Sequence, residues 1–391
     1  MMKNNPLLSI IIPTKNRQVY CLESIKSILK NIDYNCEIVI QDNSDNNSLK
    51  NMISQINDER LIYHYYSFPI SFIDNFEKAI SFSEGEYFII LGDDDTVTKD
   101  IIILVNWMKN NNIESVAGKS VVDYIWPNNY IEKYKNGEIK IPDFSSQIIY
   151  ENPKENLKKL IRNGFLSYQD FHLPRTYHGI VKRSVMDKVK SVTGRYFGGL
   201  TPDIYSTVAL SCIIENHAIV DFPFSIAGAC PKSATVNATV GGHSGKLCDA
   251  PHFNHRGEYE WEYLIPKYYS VETIWADSAI KALKDMKSEY LLNDFDLYRL
   301  FIYGIFANRK YIFKHSISET INVKKYLNIS SPVFISKFFI KLFQLSLQKI
   351  NNRNIRSQAA IKFNSKNVHN FDEALYTVYK NIDYSKFLRN L

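Results

Sequence analysis

The chain has 391 residues, 45% hydrophobic and 23% charged, a globular composition long enough for one large domain with an accessory part, or two domains. Its 47 Lys and Arg against 41 Asp and Glu give a formal charge of +6. There is no block of five basic residues, no zinc-finger spacing and no aromatic single-strand motif, which argues against a nucleic-acid protein. The five cysteines form no CxxC pair and read as buried thiols of a reducing compartment. No stretch reaches the ~18 apolar residues of a bilayer span, and the N-terminus lacks a cleavage pattern, so a cytoplasmic location is expected.

"LLSIIIP" (7–13) is a continuous apolar run closed by a turn residue, the pattern of a strand buried on both faces. In the following "TKNRQVYCLESIKSILKN", Tyr20, Leu22, Ile25, Ile28 and Leu29 recur at helical spacing. "CEIVIQDNSDN" repeats strand and polar turn, "SLKNMISQI" is helical, and "RLIYHYYS" is a third strand. "SFIDNFEKAISFSEG" is a helix stopped at Gly85. "EYFIILGDDD" is a fourth strand, "TKDIIILVNWMKNN" a helix and "IESVAGKSVVDYI" a further strand region. "RTYHGIVKRSVMDKV" reads as a strand running into a helix, and Gly198-Gly199 as a flexible segment before a helix that opens at Pro202 and Asp203.

Strand and helix thus alternate four times in about 110 residues, which predicts an α/β fold with a doubly wound, mostly parallel sheet. The expected division is a sheet domain over 1–250 and a mainly helical region over 251–391, free of strands after Trp261. In such sheets ligands bind beyond the carboxyl ends of the strands. Pro13-Thr14-Lys15, Asp42-Asn43-Ser44 and Asp93-Asp94-Asp95 all fall at such ends.

Together, "LSIIIPTKNR", "EIVIQDNSDN", "GEYFIILGDDD" and "LTPDIY" resemble the inverting family 2 glycosyltransferases, which have the GT-A fold. The resemblance spans roughly residues 7–225. It implies a nucleotide-sugar donor, UDP-linked in the first instance, a Mn²⁺ or Mg²⁺ ion, and transfer to an acceptor hydroxyl. The acceptor would be a glycan or lipid-linked saccharide of a surface polysaccharide. Pro13, Thr14, Lys15, Asn16 and Arg17 look like the nucleotide-contacting loop, and Asp42 like the base-recognising acid. Asn75 matches a polar donor-site position. Asp93 and Asp95 resemble the DxD metal pair, with Asp94 beside them at the donor. Many members carry Asp where this chain has Gly92, which leaves open which two of the three carboxylates ligate. Asp203 resembles the catalytic base, with Pro202 where the family usually has a second acid.

The chemistry accounts for these residue types. A departing nucleoside diphosphate gains negative charge, which a divalent ion offsets. Hard oxygen ligands suit Mg²⁺ or Mn²⁺, with only one or two protein carboxylates needed. Inversion needs a base opposite the leaving group, and one carboxylate suffices. His243, in the loop "GGHSGK", is a candidate third metal ligand with His252 and His255 as competitors, and Lys246 a candidate phosphate contact. Zinc is disfavoured, since apart from Cys248 no Cys/His pair at ligand spacing is present. Residues 333–350 are expected to set Ser336, Lys337, Lys341, Gln344 and Gln348 on one narrow face, with Phe, Ile and Leu filling the rest. They read either as a core helix or as an interfacial helix in peripheral contact with a membrane. The rival functions are a nucleotidyltransferase, against which "PTKNR" lacks the glycines, and a non-catalytic carbohydrate-binding protein.

Overall fold

The computed structural model describes residues 5–32, 35–129, 134–233, 244–307, 309–352 and 361–391. The first half follows the predicted alternation: β1 (Leu8–Thr14), α1 (Gln18–Asn31), β2 (Cys36–Asp42), α2 (Ser48–Ile53), β3 (Leu61–Tyr65), α3 (Phe72–Ser81) and β4 (Tyr87–Ile90). All seven residues of β1 and of β2 are buried, so both faces of the sheet must be covered. Along β1, Leu8, Ile10 and Ile12 meet the apolar stripes of α1 and α2 on one face. Ile11 meets Ile73, Phe76 and Ile80 of α3 on the other. Successive strand residues point to opposite faces, which is how one apolar run supplies two cores. Helix α3 starts where the Ser71 side chain accepts the Asp74 amide, a cap that fixes its first turn.

The chain continues through β5 (Thr96–Val97), α4 (Ile101–Asn110), β6 (Ser115–Gly118), β7 (Val122–Ile125), β8 (Glu138–Pro142), β9 (Ile148–Glu151) and α5 (Pro153–Arg162). It then forms β10 (Gly179–Lys182), α6 (Arg183–Thr193), α7 (Pro202–Ser211), β11 (His217–Val220) and β12 (Ser225–Ala229). The main sheet has eight strands in the order β3-β2-β1-β4-β10-β6-β11-β9. Only β10 and β9 pair antiparallel to their neighbours. The expected doubly wound, mostly parallel sheet is therefore found. Strand order runs 1-2-3 outward to one side and starts again at β4 on the other. The crevice at that switch, between the carboxyl ends of β1 and β4, is where a ligand fits such a sheet.

A second sheet, in the order β15-β8-β7-β12-β5, covers this edge, with β15 at Ile361–Lys366. Since β4 ends at Ile90 in the first sheet and β5 begins at Thr96 in the second, the acidic triplet is the crossing between the sheets. The helix Val271–Asp285 packs on α7 through Ala276, Ala279, Ile280 and Leu283, and Leu300 joins the same cluster.

Two expectations need correction. The stretch after Trp261 is mainly helical but holds β14 (Tyr268–Ser270), which pairs with β13 (Ser244–Lys246), and β15, which pairs with β8. The burial of β15 is slight, so its polar "IKFNSK" carries no apolar run to announce a strand. The residues after it return to the N-terminal part: Phe371, Ala374, Leu375 and Val378 pack on Val122, Tyr124 and Ile139, and Phe387 stacks on Phe222 at 3.7 Å between ring centroids. Gly198-Gly199 is not a free loop either. A Cβ at Gly198 would lie 2.4 Å from the Tyr205 ring and one at Gly199, whose φ is +63°, 2.7 Å from Ser278. The pair is glycine because α7 and the 271–285 helix close on it.

Candidate active site

Asp93, Asp94 and Asp95 are buried, at 0%, 3% and 1% exposure. Buried carboxylates need partners, and each finds different ones. Asp95 is enclosed: the amides of Gly92 (2.6 Å) and Gly228 (2.7 Å) and the Tyr177 hydroxyl (2.9 Å) donate to it, and His178 Nε2 lies 3.0 Å away. Burial pushes its pKa up, but His178 and these donors outweigh burial and hold it below the ordinary carboxylate value.

Asp93 and Asp94 face Arg17 instead. Arg17 Nη2 stands 2.6 Å from Asp93 Oδ1, and Nη1 3.4 Å from Asp94 Oδ1. The short approach to Asp93 is an ion pair without hydrogen-bond alignment, so Oδ1 is a buried oxygen with no directed donor. Thr14 donates to its other oxygen at 2.5 Å, and the Cys230 amide to Asp94 at 2.9 Å. Burial, with the neighbouring carboxylates adding, pushes Asp93 up to about 7 against the pull of Arg17, and raises Asp94 as well. Burial works against the Arg17 charge, yet Asp93 and Asp94 more than offset it and hold the guanidinium above its ordinary value. A basic side chain therefore does sit against the triplet.

Gly92 also has a reason. A Cβ there would lie 2.8 Å from the Tyr177 hydroxyl and 2.9 and 3.0 Å from the carboxylates of Asp95 and Asp94. The space a side chain would need at Gly92 is filled by Tyr177 and the triplet itself.

The loop after β1 is fastened to the loop after β2. The Asn16 amide donates to Ser44 Oγ (2.8 Å), its side chain to Asp45 (2.9 Å), and Lys15 Nζ to Asn43 (3.3 Å). Asn16 adopts φ 59°, a left-handed conformation Asn tolerates. Asp42 accepts from the Ser44 amide and from the Tyr63 hydroxyl, both at 2.8 Å, so its carboxylate serves turn and strand together. Asn75 is buried on α3 and donates to the Thr14 carbonyl (3.3 Å), with its Oδ1 unpartnered.

Asp203 lies in the first turn of α7 with its carboxylate accepting from Thr201 Oγ1 (2.8 Å). It keeps an exposed edge, while burial by the surrounding protein raises its pKa. A short chain of bonds ties it to the triplet. Ser206 donates to the Asp203 carbonyl (3.1 Å) and bonds Thr176 (2.9 Å), and the two residues after Thr176 are those that hold Asp95.

Thr176, Tyr177 and His178 were missed by sequence reading, as were Gly228 and Cys230. Residues 176–178 precede β10, and β10 runs antiparallel, so its amino end lies at the carboxyl edge of the parallel strands. No local pattern announces that reversal. Of the remaining candidates, Lys246 is exposed on the β13–β14 ribbon opposite Tyr268. His252 rests against the rings of Phe72 and Tyr269, and His255 adopts φ 56° in a turn. His243 lies outside the described residues. Among the described residues no group of three His, Cys, Asp or Glu side chains is arranged as a closed metal cage.

Residues 9–185, which hold the triplet, the β1 and β2 loops and β10, match the sequence model of Glycosyl transferase family 2. The chain carries a family 2 glycosyl transferase domain. The match takes in all of β1 but its first residue and every strand from β2 to β10, and stops before Asp203. A putative colanic acid biosynthesis glycosyl transferase, WcaA of Escherichia coli K12, is 35% identical over 99 residues, 25% of this chain and 36% of its own length. The abequosyltransferase RfbV of Salmonella typhimurium is 32% identical over 104 residues, 25% and 31% of the two chains. A GalNAc(5)-diNAcBac-PP-undecaprenol beta-1,3-glucosyltransferase of Campylobacter jejuni is 27% identical over 124 residues, 30% and 39% of the two. The chain thus spans between about a third and two fifths of these relatives. S. aureus TarS 1–349, solved with UDP-GlcNAc, is similar over 78% of this chain and 73% of its own, at 14% identity and a TM-score of 0.46.

Proposed function

We propose that this protein transfers a sugar from a nucleoside-diphosphate donor, UDP-linked in the first instance, to a hydroxyl of a glycan or lipid-linked acceptor in surface-polysaccharide synthesis, with inversion and with a Mn²⁺ or Mg²⁺ ion. The observation that carries the reading is the triplet at the β1/β4 switch point: two buried carboxylates turned to one guanidinium, beside a third locked by the fold. Relatives named for colanic acid biosynthesis and for a polyprenol-linked acceptor support the acceptor class.

The donor set fits a hard divalent cation. Asp93 and Asp94 would hold it, since Asp93 Oδ1 lacks a directed donor and Arg17, which keeps an exposed edge, would turn from them toward a diphosphate. In this reading Asp95 positions them rather than ligating, so that Asp93 and Asp94 take the place of the Asp93 and Asp95 pair that the resemblance implies. The ion, when bound, offsets the charge that grows on the departing diphosphate. Thr14 and the Arg17 loop orient the donor, and Asp42 and Tyr63 shape the floor of the base subsite. Asp203 takes the proton from the acceptor hydroxyl, its raised pKa making it a stronger base than an ordinary carboxylate.

The test is a thermal-shift screen of nucleotide sugars with and without Mn²⁺, followed by donor turnover. One donor should stabilise the protein only with metal, and Asp94→Asn should abolish that shift. Stabilisation by no donor, or the same shift in chelator, would sink the reading.

A further inference from the structure

The helix Ser331–Asn352 is about 33 Å long and has two apolar sides. One side packs inward: the Phe334 ring lies 5.6 Å from Tyr298 and 6.1 Å from Phe301, and Phe338 continues that row 6.0 Å from Phe334. The opposite side carries Val333, Ile335, Phe339, Ile340, Phe343 and Leu347, each 46–65% exposed. At 100° per residue they sweep an arc of about 160°. A soluble surface rarely gathers so many large apolar side chains on one face.

Charge says what covers them. Between Leu297 and Asn370 the sequence has thirteen Lys and Arg and a single acid, Glu319. The rest of the chain has 34 basic against 40 acidic residues, so the whole positive surplus belongs to this segment. Lys337 borders the exposed apolar arc, and Lys341, beyond it, pairs with Asp296 at 2.7 Å. An apolar face bordered on one edge by Lys337 and set in a basic segment matches an anionic bilayer surface, with the rings at the acyl boundary and the Lys337 ammonium at the headgroups. No helix among the described residues is long and apolar enough to cross a membrane, so the geometry is that of a helix lying along the surface.

We propose that the exposed face of the 331–352 helix docks this protein on anionic lipid. The assignment stands on the helix and its charge and does not depend on the glycosyl-transfer reading. In flotation assays the full chain should bind vesicles containing about one third phosphatidylglycerol and ignore pure phosphatidylcholine, with binding weakened by salt. Phe339→Ser with Phe343→Ser should lower binding at least about tenfold while the far-UV spectrum and melting temperature stay unchanged, since both rings face solvent. Phe339→Trp should shift its emission to the blue when anionic vesicles are added. No binding, equal binding by the double serine variant, or binding unaffected by lipid charge would overturn the proposal. So would concentration-dependent self-association that the double variant abolishes without any vesicle binding, which would make the face a contact between copies.

Discussion

Asp203 is a raised carboxylate with one hydroxyl donor and an exposed edge, a combination suited to receiving a proton. If it is the base, Asp203→Asn should cut kcat by about 10²–10⁴ while donor affinity, measured by calorimetry, changes little. The acidic limb of the wild-type rate profile should lie above the ordinary carboxylate range, because burial delays ionisation. A variant that keeps a tenth of the activity would remove Asp203 from that role. Gly228 makes a prediction of a different kind. Its amide holds Asp95, and a Cβ would come within 1.7 Å of the Asp94 carbonyl oxygen. Gly228→Ala should therefore cost about 3 kcal/mol of stability by overpacking and weaken metal-dependent donor binding, read by denaturant titration and calorimetry. Tyr177 and His178 belong to the same scale: they matter through Asp95, and only their place before an antiparallel strand brings them there.

At the scale of elements, β11 shows how a buried group sets a pH dependence. His217 is 1% exposed, with Nδ1 against Ser115 Oγ at 2.7 Å, and burial lowers its pKa to about 4. The unfolded chain takes up a proton near the ordinary histidine value of ~6.5, the folded one only near 4. Stability from this group is complete above pH ~6.5 and is lost as pH falls toward 4, by about 3 kcal/mol. The difference in unfolding free energy between wild type and His217→Asn should shrink over that window, measured by urea titration at pH 7 and pH 4. A constant difference would mean that His217 titrates alike in the folded and the unfolded chain. The strands and helices of the first half were legible because parallel strands buried on both faces must be apolar throughout. The short β5 and the polar β15 were not, because their pairing comes from the partner strand rather than from their own pattern.

For the whole molecule, the last thirty residues close the core rather than trail behind it. Each of Phe371, Leu375, Val378 and Phe387 is buried against strands of the N-terminal half or their connections, and each such side chain contributes about 1.5–3 kcal/mol. Their combined loss rivals the about 5–15 kcal/mol net stability of a typical protein. A chain ending at residue 360 should lose cooperative thermal unfolding and aggregate, seen by circular dichroism and size-exclusion chromatography. Retention of the full melting temperature would show that these residues form a separable appendage.

By itself the sequence determined the doubly wound sheet, the three polar turns at its carboxyl edge and the resemblance to family 2 glycosyltransferases. Those features are local: an apolar run, a helical stripe and a cluster of turn residues are each complete within about fifteen neighbours. Only the tertiary structure decided how the three carboxylates differ. Asp95 is locked by residues more than eighty positions away, and Asp93 and Asp94 by a guanidinium from the loop after β1. Three identical side chains in a row acquire separate roles from what folds against each of them, and that is set by strand order and direction, which no stretch of sequence contains.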